Sequence, residues 1–527
     1  MTEQIQDQAQ QLPHRLLLTT LGCLTISLFV SFFDQTAVTT SIPSIEKSLG
    51  NSSLINTWCG ASYLIANTNF QLQFGRLSDI FGRKNIFLLC IGCLFVGNLV
   101  SGFSENIVML FIFRGISGIG GGGINCLVMI TFSDLLTPRE RGKYFGFVAI
   151  STSLGNGAGP LLGGLLSEKA NWRWTFWISC PIAVVSACCL YFFVPLKPVT
   201  GSFKIKLKQL DIWGFITSLV GIVFVLVAIS GGGETWSWKS PQVLSLLIIG
   251  VITFIAFLCI EQFYATIPMI PLYLFKDFHL SLLFLMCLLM GWAYFVDIYY
   301  LPLYLQNVRG WSPIMSGLLQ LPATCSSSIF GVGVGFLNSK YGNYVACLWF
   351  GGAMWCLGTG LKILFNLHSN IGLLVGSNLI QGLGIAFTFQ PTLLALLSYS
   401  NPKDRAVVTG LRNFFRCFGG AFGLLISGII FNTLFKKRIS DIYEDSKMVE
   451  EIIANPNGLS AYGTPVINAY LDCYRDVMIS LTALSGLMFL LSLAIKNKNE
   501  DEDSKENEKN EDKSSFSMIS IQNENKS

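Results

Sequence analysis

Charge is scarce in this chain. Of its 527 residues, 13% are Asp, Glu, Lys or Arg and 52% are hydrophobic, where an ordinary soluble domain carries about 25% charged residues. A water-soluble fold this apolar would lack the polar surface to cover itself. Histidine is scarcer still: His14, His279 and His368 lie far apart and form no metal-ligand pattern. Cysteines are not rare, but most sit inside apolar runs, as at Cys90, Cys93 and Cys259. No pair of CxxC units has zinc-like spacing, so they read as small reduced apolar side chains. No cleavable signal peptide is evident, because the first apolar run, 16–41, is too long for a signal-peptide core. No nucleophile–base pair stands out, which argues against an enzyme. The run from Gly118 to Gly123 formally contains GxGxxG but lies inside an apolar segment with no preceding strand, which removes it as a dinucleotide site.

What the chain has in quantity is hydrocarbon-length segments. A helix needs about 20 mostly apolar residues to cross a bilayer core. Such runs lie near 16–41, 54–74, 85–103, 107–132, 144–166 and 174–194, then 212–230 and 243–264. Six more follow near 280–305, 314–337, 344–365, 371–398, 406–435 and 477–495. The expected fold class is therefore an all-α polytopic membrane protein of fourteen spans.

Basic residues orient it. With the N-terminus in the cytoplasm, about 15 Lys and Arg lie inside, Arg76, Arg83, Lys84, Arg139 and Arg141 among them. About 6 fall in short outer loops: Lys47, Lys169, Arg173, Lys239, Arg309 and Lys362. That bias predicts an inside N-terminus, and an even number of spans an inside C-terminus. Asn51, in the sequon Asn51-Ser52-Ser53, then falls in the first outer loop as a glycosylation candidate. The longest loop, 436–474, is expected outside and carries Lys436, Lys437 and Arg438 against the bias, which long loops obey weakly. The two ends, 1–15 and 496–527, are too polar to bury a core and read as cytoplasmic tails, the second one disordered.

The loop after the second span reads Gly75-Arg76-Leu77-Ser78-Asp79-Ile80-Phe81-Gly82-Arg83-Lys84. Its glycines allow a tight turn, and an acid among three bases at a membrane surface suggests a charge clasp that forms and breaks between conformations. It resembles the GxLxDxxGRK signature of the major facilitator superfamily. The fourth span holds Arg114-Gly115-Ile116-Ser117-Gly118-Ile119-Gly120, similar to the RxxxGxG motif of that family. The fifth holds Gly155, Gly159, Pro160, Gly163 and Gly164 in an arrangement similar to the GxxxGPxxGG antiporter motif. Asp34-Gln35-Thr36 with Pro43, and Trp172 to Trp177 with Pro181, resemble segments of the fourteen-helix drug:proton antiporter group, although Ser179 replaces the usual Asn there. Within that group the chain looks most like fungal members, which include multidrug exporters and vacuolar basic amino acid transporters.

The resemblance implies two six-helix halves, 16–195 and 266–495, rocking about a central site, with a basic linker and two extra spans in 196–265 between them. It implies a proton-coupled antiporter that exports or sequesters small organic, cationic or amphipathic solutes such as drugs. A vacuolar basic amino acid transporter is the alternative, and a proton symporter or a non-transporting nutrient sensor lie further off. The expected setting is the plasma or vacuolar membrane. The protein is expected to act as a monomer whose partners are the bilayer, the solute and protons, with no nucleic acid and no cofactor beyond the proton gradient.

Ionisable groups inside a membrane cost ~2.5–3.5 kcal/mol on insertion scales and need an aqueous or paired setting. Asp34 and Asp297 are the candidate proton- or cation-binding carboxylates. Arg114 and Arg416 are candidate coupling residues, and Arg412, one turn from Arg416, is expected to snorkel to the inner surface. Asn125, Asn378, Gln381 and Tyr300 are candidates for the substrate cavity. Gly75, Asp79, Gly82, Arg83 and Lys84 form the candidate conformational gate. Gly155, Gly159 and Gly163 recur every fourth residue, which places them on one face for close helix approach, and Pro160 kinks the span.

Overall fold

In hydrocarbon, a backbone that must satisfy its own N–H and C=O groups has the α-helix as its main recourse. The computed structural model is helical accordingly. It describes residues 13–50, 53–136, 138–195, 212–232, 236, 239–264, 270–401, 404–443, 448–449, 452, 459 and 462–497. The first half comprises α1 His14–Ala37, α2 Ser53–Phe81, α3 Arg83–Gly102, α4 Ile107–Leu135, α5 Pro138–Lys169 and α6 Ser179–Phe193. Then come α7 Ile212–Gly231 and α8 Pro241–Phe263. The second half comprises α9 Phe278–Leu303, α10 Leu321–Tyr341, α11 Tyr344–Lys362, α12 Ile371–Tyr399, α13 Arg405–Ile442 and α14 Thr464–Leu493. Among the described residues, 11 stretches are long and apolar enough to cross a bilayer. Helices α2, α5 and α7 stand outside that set. The first two carry many polar residues and glycines, and the apolar part of α7, Trp213–Ile229, is shorter.

Packing reveals an internal repeat. In the first half α2 and α3 pack on α4, α1 on α5 and α6, and α3 on α6. Each pairing recurs eight helices later: α10 and α11 on α12, α9 on α13 and α14, and α11 on α14. The halves meet along two seams, α2 with α13 and α5 with α10. The pair α7–α8 packs on itself and leans through α7 on both α2 and α13, so it borders the first seam without entering the bundle. Phe215 of α7 meets Phe70 of α2 edge-on at 5.2 Å there.

The seam at α5 is built from small residues. A side chain at Gly155, Gly159 or Gly163 would collide with α1 and the turn after it, at Phe29–Phe33, Thr36–Ala37 and Ala37–Thr40. One at Gly164 would collide with the backbone of Pro313, and Gly317 lies against the carbonyl of Pro160 in the same way. Thus α5 is wedged between α1 of one half and the start of α10 in the other. Thr40 Oγ1 donates to the Pro160 carbonyl at 2.9 Å, and Gln306 Nε2 donates to the Thr40 carbonyl at 3.4 Å. The bundle is therefore sealed at this end, the Thr40 end. The opposite end is called the Arg83 end below; the bias of basic residues predicts it to be cytoplasmic.

The expected outer loop 436–474 needs correction. Helix α13 continues through Lys436, Lys437 and Arg438 to Ile442, and α14 starts at Thr464. Arg438 is answered across the two helices: it pairs with Asp476 at 2.7 Å and donates to Cys473 Sγ at 3.1 Å. Asn51, the linker 196–211, residues 1–12 and residues 498–527 lie outside the described residues.

Candidate functional site

Two cavities lie along the axis between the halves. The larger, about 120 Å³, is lined from both halves and lies toward the Arg83 end. Helix α1 contributes Phe32, α4 Asn125, α5 Asn156, α9 Tyr294, α12 Phe389 and Gln390, and α13 Arg412, Asn413 and Arg416. No Asp or Glu is among its lining residues. Arg412 does not snorkel to the surface as expected: it is buried, donates to the Phe389 carbonyl at 2.9 Å and to Asn413 Oδ1 at 3.2 Å. The Arg416 guanidinium lies 5.6 Å from the Phe389 ring centre and 5.9 Å from that of Phe32. Among the described residues neither arginine has a carboxylate in ion-pair range, so the cavity wall carries two cations and no anion. A buried charge in that state is costly until something answers it.

The smaller cavity, about 40 Å³, adjoins the first: Asn156, Tyr294, Ser327 and Ile385 line both. Asp297, Gln320, Asn378 and Gln381 face it. Asp297 accepts from Lys362 Nζ at 2.7 and 2.8 Å through its two oxygens, and Gln381 Oε1 accepts from the same ammonium at 2.5 Å. An ammonium has three N–H donors, so Lys362 is fully satisfied. This overturns its expected place in an outer loop. It is the last residue of α11 and 0% exposed. The sequence signal was present, since Lys362 lies inside the apolar run 344–365, but counting it with the loop charges hid it. One turn past Lys362, Phe365 meets Tyr304 with ring centres 5.4 Å apart, and Tyr474 stacks on Tyr304 at 4.7 Å.

Asp34 has a different setting. Arg114 Nη1 donates to its two oxygens at 3.0 and 3.2 Å, and both side chains are sealed, at 1% and 0% exposure. The Arg114 guanidinium also lies over the Tyr63 ring at 4.6 Å and near Phe176 at 5.6 Å. Neither residue lines either cavity. Of the other expected substrate-cavity residues, Asn125 lines the large cavity, and Asn378 and Gln381 the small one. Tyr300 lines neither; it packs against Phe431 with ring centres 5.7 Å apart. Tyr294, one turn before Asp297 on the same helix, faces both cavities instead.

At the Arg83 end the expected gate is partly described. Gly82 adopts φ 92°, a left-handed turn that glycine tolerates without strain. Arg83 pairs with Asp134 at the end of α4 at 2.5 Å. Lys84 donates to the carbonyls of Tyr191 and Val194 at 2.7 and 3.1 Å, closing the end of α6. Gly75 lies on α2 within 3.5 Å, counted from a would-be Cβ, of Cys126 and Ile130 of α4. The side chain of Asp79 is outside the described residues. Asp134 was missed by the sequence reading, because one acid at a helix end carries no spacing signal.

A repeated six-helix bundle, closed at one end around a polar axial cavity, is the architecture of a membrane transporter. Comparison with known proteins gives the family. The model of the Major Facilitator Superfamily matches residues 24–424, and the chain belongs to that superfamily as a multi-pass membrane transporter. It is 37% identical to "Citrate exporter 1" of Yarrowia lipolytica, over 94% of this chain and 74% of that one. It is 32% identical to "Efflux pump dotC" of Dothistroma septosporum, over 88% and 80%. Among solved structures, an inward-facing, unoccupied bacterial homologue of the lysosomal transporter Spinster superposes with a TM-score of 0.64 at 16% identity, covering 91% of this chain and 98% of that one. A D-xylose–proton symporter gives 0.60 at 15%, covering 91% and 98%. At such identities these two show the fold alone.

Proposed function

We propose that this chain exports small organic anions, polycarboxylates foremost, by alternating access to the cavity of Arg412 and Arg416. The charge of that cavity carries the reading: two guanidinium groups and no carboxylate line it. Guanidinium binds carboxylate through paired, charge-assisted hydrogen bonds. The amides of Asn125, Asn156, Asn413 and Gln390 supply further donors, and Phe32, Phe389 and Tyr294 an apolar wall. The name of the Yarrowia lipolytica relative agrees with this class. A cationic drug or a basic amino acid fits less well. It would meet two like charges, and the carboxylates meant to receive it already hold Arg114 and Lys362. Proton coupling belongs to Asp297, the carboxylate that faces the axial space. The predicted orientation places both termini in the cytoplasm of a plasma or vacuolar membrane, with the fourteen helices as spans and the single chain as the working unit.

The test is transport by the purified protein in proteoliposomes, using labelled citrate, lysine and a lipophilic cation. Citrate is expected to move and the other two are not. Arg412→Gln and Arg416→Gln should each slow citrate about tenfold to hundredfold, the worth of a hydrogen bond to a charged group. Movement of lysine or the cation with citrate left behind overturns the proposal.

A further inference from the structure

Resting on the carboxylate reading above, we infer that Lys362 is the cation a transported anion takes over from Asp297, and that one proton therefore travels with the anion, in the same direction. The geometry supplies each part. The two cavities are neighbours that share Asn156, Tyr294 and Ser327 in their walls, so an anion held at Arg412 and Arg416 lies next to the space that Asp297 faces. Lys362 lies directly behind Asp297, bound to both its oxygens and to Gln381. Asp297 and Gln381 line the small cavity and Lys362 does not, so exchange of partners takes place from the cavity side, through the place of Asp297.

The charge balance fixes the sign of coupling. Lys362, Arg412 and Arg416 as cations and Asp297 as carboxylate sum to plus two. A fully ionised citrate, at minus three, brings the site to minus one, and once one of its carboxylates replaces Asp297 on the ammonium the unpaired buried charge is that of Asp297, which is strongly unfavourable. One proton taken up by Asp297, forming the neutral carboxyl group, brings the sum to zero. The bond made is the carboxyl O–H, and the bond broken is an O–H of hydronium or the acidic bond of a protonated buffer in the surrounding solution, which is left as water or free base. Anion and proton therefore bind more tightly together than apart, and this linkage is reciprocal. A cation competing with a proton for one carboxylate gives exchange; an anion competing with a carboxylate for one ammonium gives co-transport.

The groups facing Asp297 are compatible with that role. They are Lys362 on α11, Gln381 and Asn378 on α12, Gln320 before α10 and Asn156 on α5. Tyr294 on its own helix and Tyr474 on α14 are within electrostatic range, and Arg416 on α13 lies beyond Tyr294. Among the described residues no second carboxylate lines either cavity, so Asp297 is the acid in place there to take the proton.

The test is calorimetry of citrate binding to the full-length protein, at a pH where citrate is fully ionised, in buffers of differing ionisation enthalpy. The wild type should take up about one proton per anion, with a Kd that rises with pH as linkage requires. Asp297→Asn, which fixes the neutral form, should bind with a pH-independent Kd and no proton uptake. If that variant does not fold, Asp297→Asn with Lys362→Gln restores neutrality and should bind more weakly, again without uptake. Proton release by the wild type, or undiminished uptake by either variant, overturns the inference. Failure of the wild type to bind citrate at any pH instead removes the carboxylate reading on which it rests.

Discussion

The two halves of this transporter place a carboxylate in the same part of the corresponding helix, and answer it differently. Asp34 lies in the last turns of α1, Asp297 in those of α9. In the first half the cation is Arg114 on α4, which stays charged at any physiological pH, pressed against Tyr63 and cut off from the cavities. In the second half, α12 offers only the amides of Asn378 and Gln381, and the cation is Lys362 from the end of α11. A lysine ammonium is a compact group that can change partners. Asp297 also has a face on the axial space. The difference teaches that intramembrane carboxylates alike in sequence can have unlike settings, one sealed and one facing a cavity. A sealed pair with an arginine holds helices together, and a pair beside a cavity can exchange partners.

The largest expected effect comes from breaking the sealed pair. Arg114→Leu leaves Asp34 buried without its partner, a change that typically costs about 3–5 kcal/mol. The variant should lose most of its thermal stability in detergent, read from a melting curve. Removing both charges, by Asp34→Asn with Arg114→Gln, should recover much of that stability and keep proton uptake on anion binding. Loss of proton uptake in the recovered double variant would break the comparison, since it would place coupling in the first half.

Next in size is the α1–α5 contact, which belongs to neither pair. A leucine at Gly159 would have to occupy the space of Thr36 Oγ1 and lie against the Ala37 amide. Overpacking of this kind costs about 1–3 kcal/mol. Because the contact sits where α5 also meets the other half, turnover in proteoliposomes should fall much further than stability. Equal turnover in Gly159→Leu would show that the halves rock without α1 and α5 staying in close contact.

Much of this was legible in the sequence. Each expected span is a helix at the expected place, because length and apolarity suffice to specify a helix in hydrocarbon. The glycines at 155, 159 and 163 do lie on one face, because a period of four residues needs no tertiary information. The cavity was less legible. Asp34 and Asp297 look alike in one dimension, and only the packed bundle shows which one faces open space. Lys362 and Arg412 were misplaced for a related reason. A basic residue near the end of an apolar run reads as a loop or snorkelling charge unless its partner is known, and those partners, Asp297 and the Phe389 carbonyl, come from other helices. The proposed substrate charge turns on the same point. Counting carboxylates in spans suggested a cation, whereas the unanswered charges of the folded cavity are arginines.

The smallest expected effect separates holding Lys362 from coupling through it. Gln381 accepts one of the three hydrogen bonds of Lys362 and carries no titrating proton. Gln381→Met keeps the volume but leaves one ammonium N–H unanswered, a loss of about 1–3 kcal/mol. That loss falls on the resting pair and on the anion-bound state alike, because Gln381 touches Lys362 whichever carboxylate is opposite. The variant should melt earlier than the wild type yet still take up about one proton per anion. Asp297→Asn should lose proton uptake altogether, and it should melt earlier as well, because it leaves Lys362 buried without its counter-ion. If Gln381→Met abolished uptake, the proton would be bound by the Lys362–Gln381 pair or its hydration, and Asp297 would join Asp34 as a structural acid.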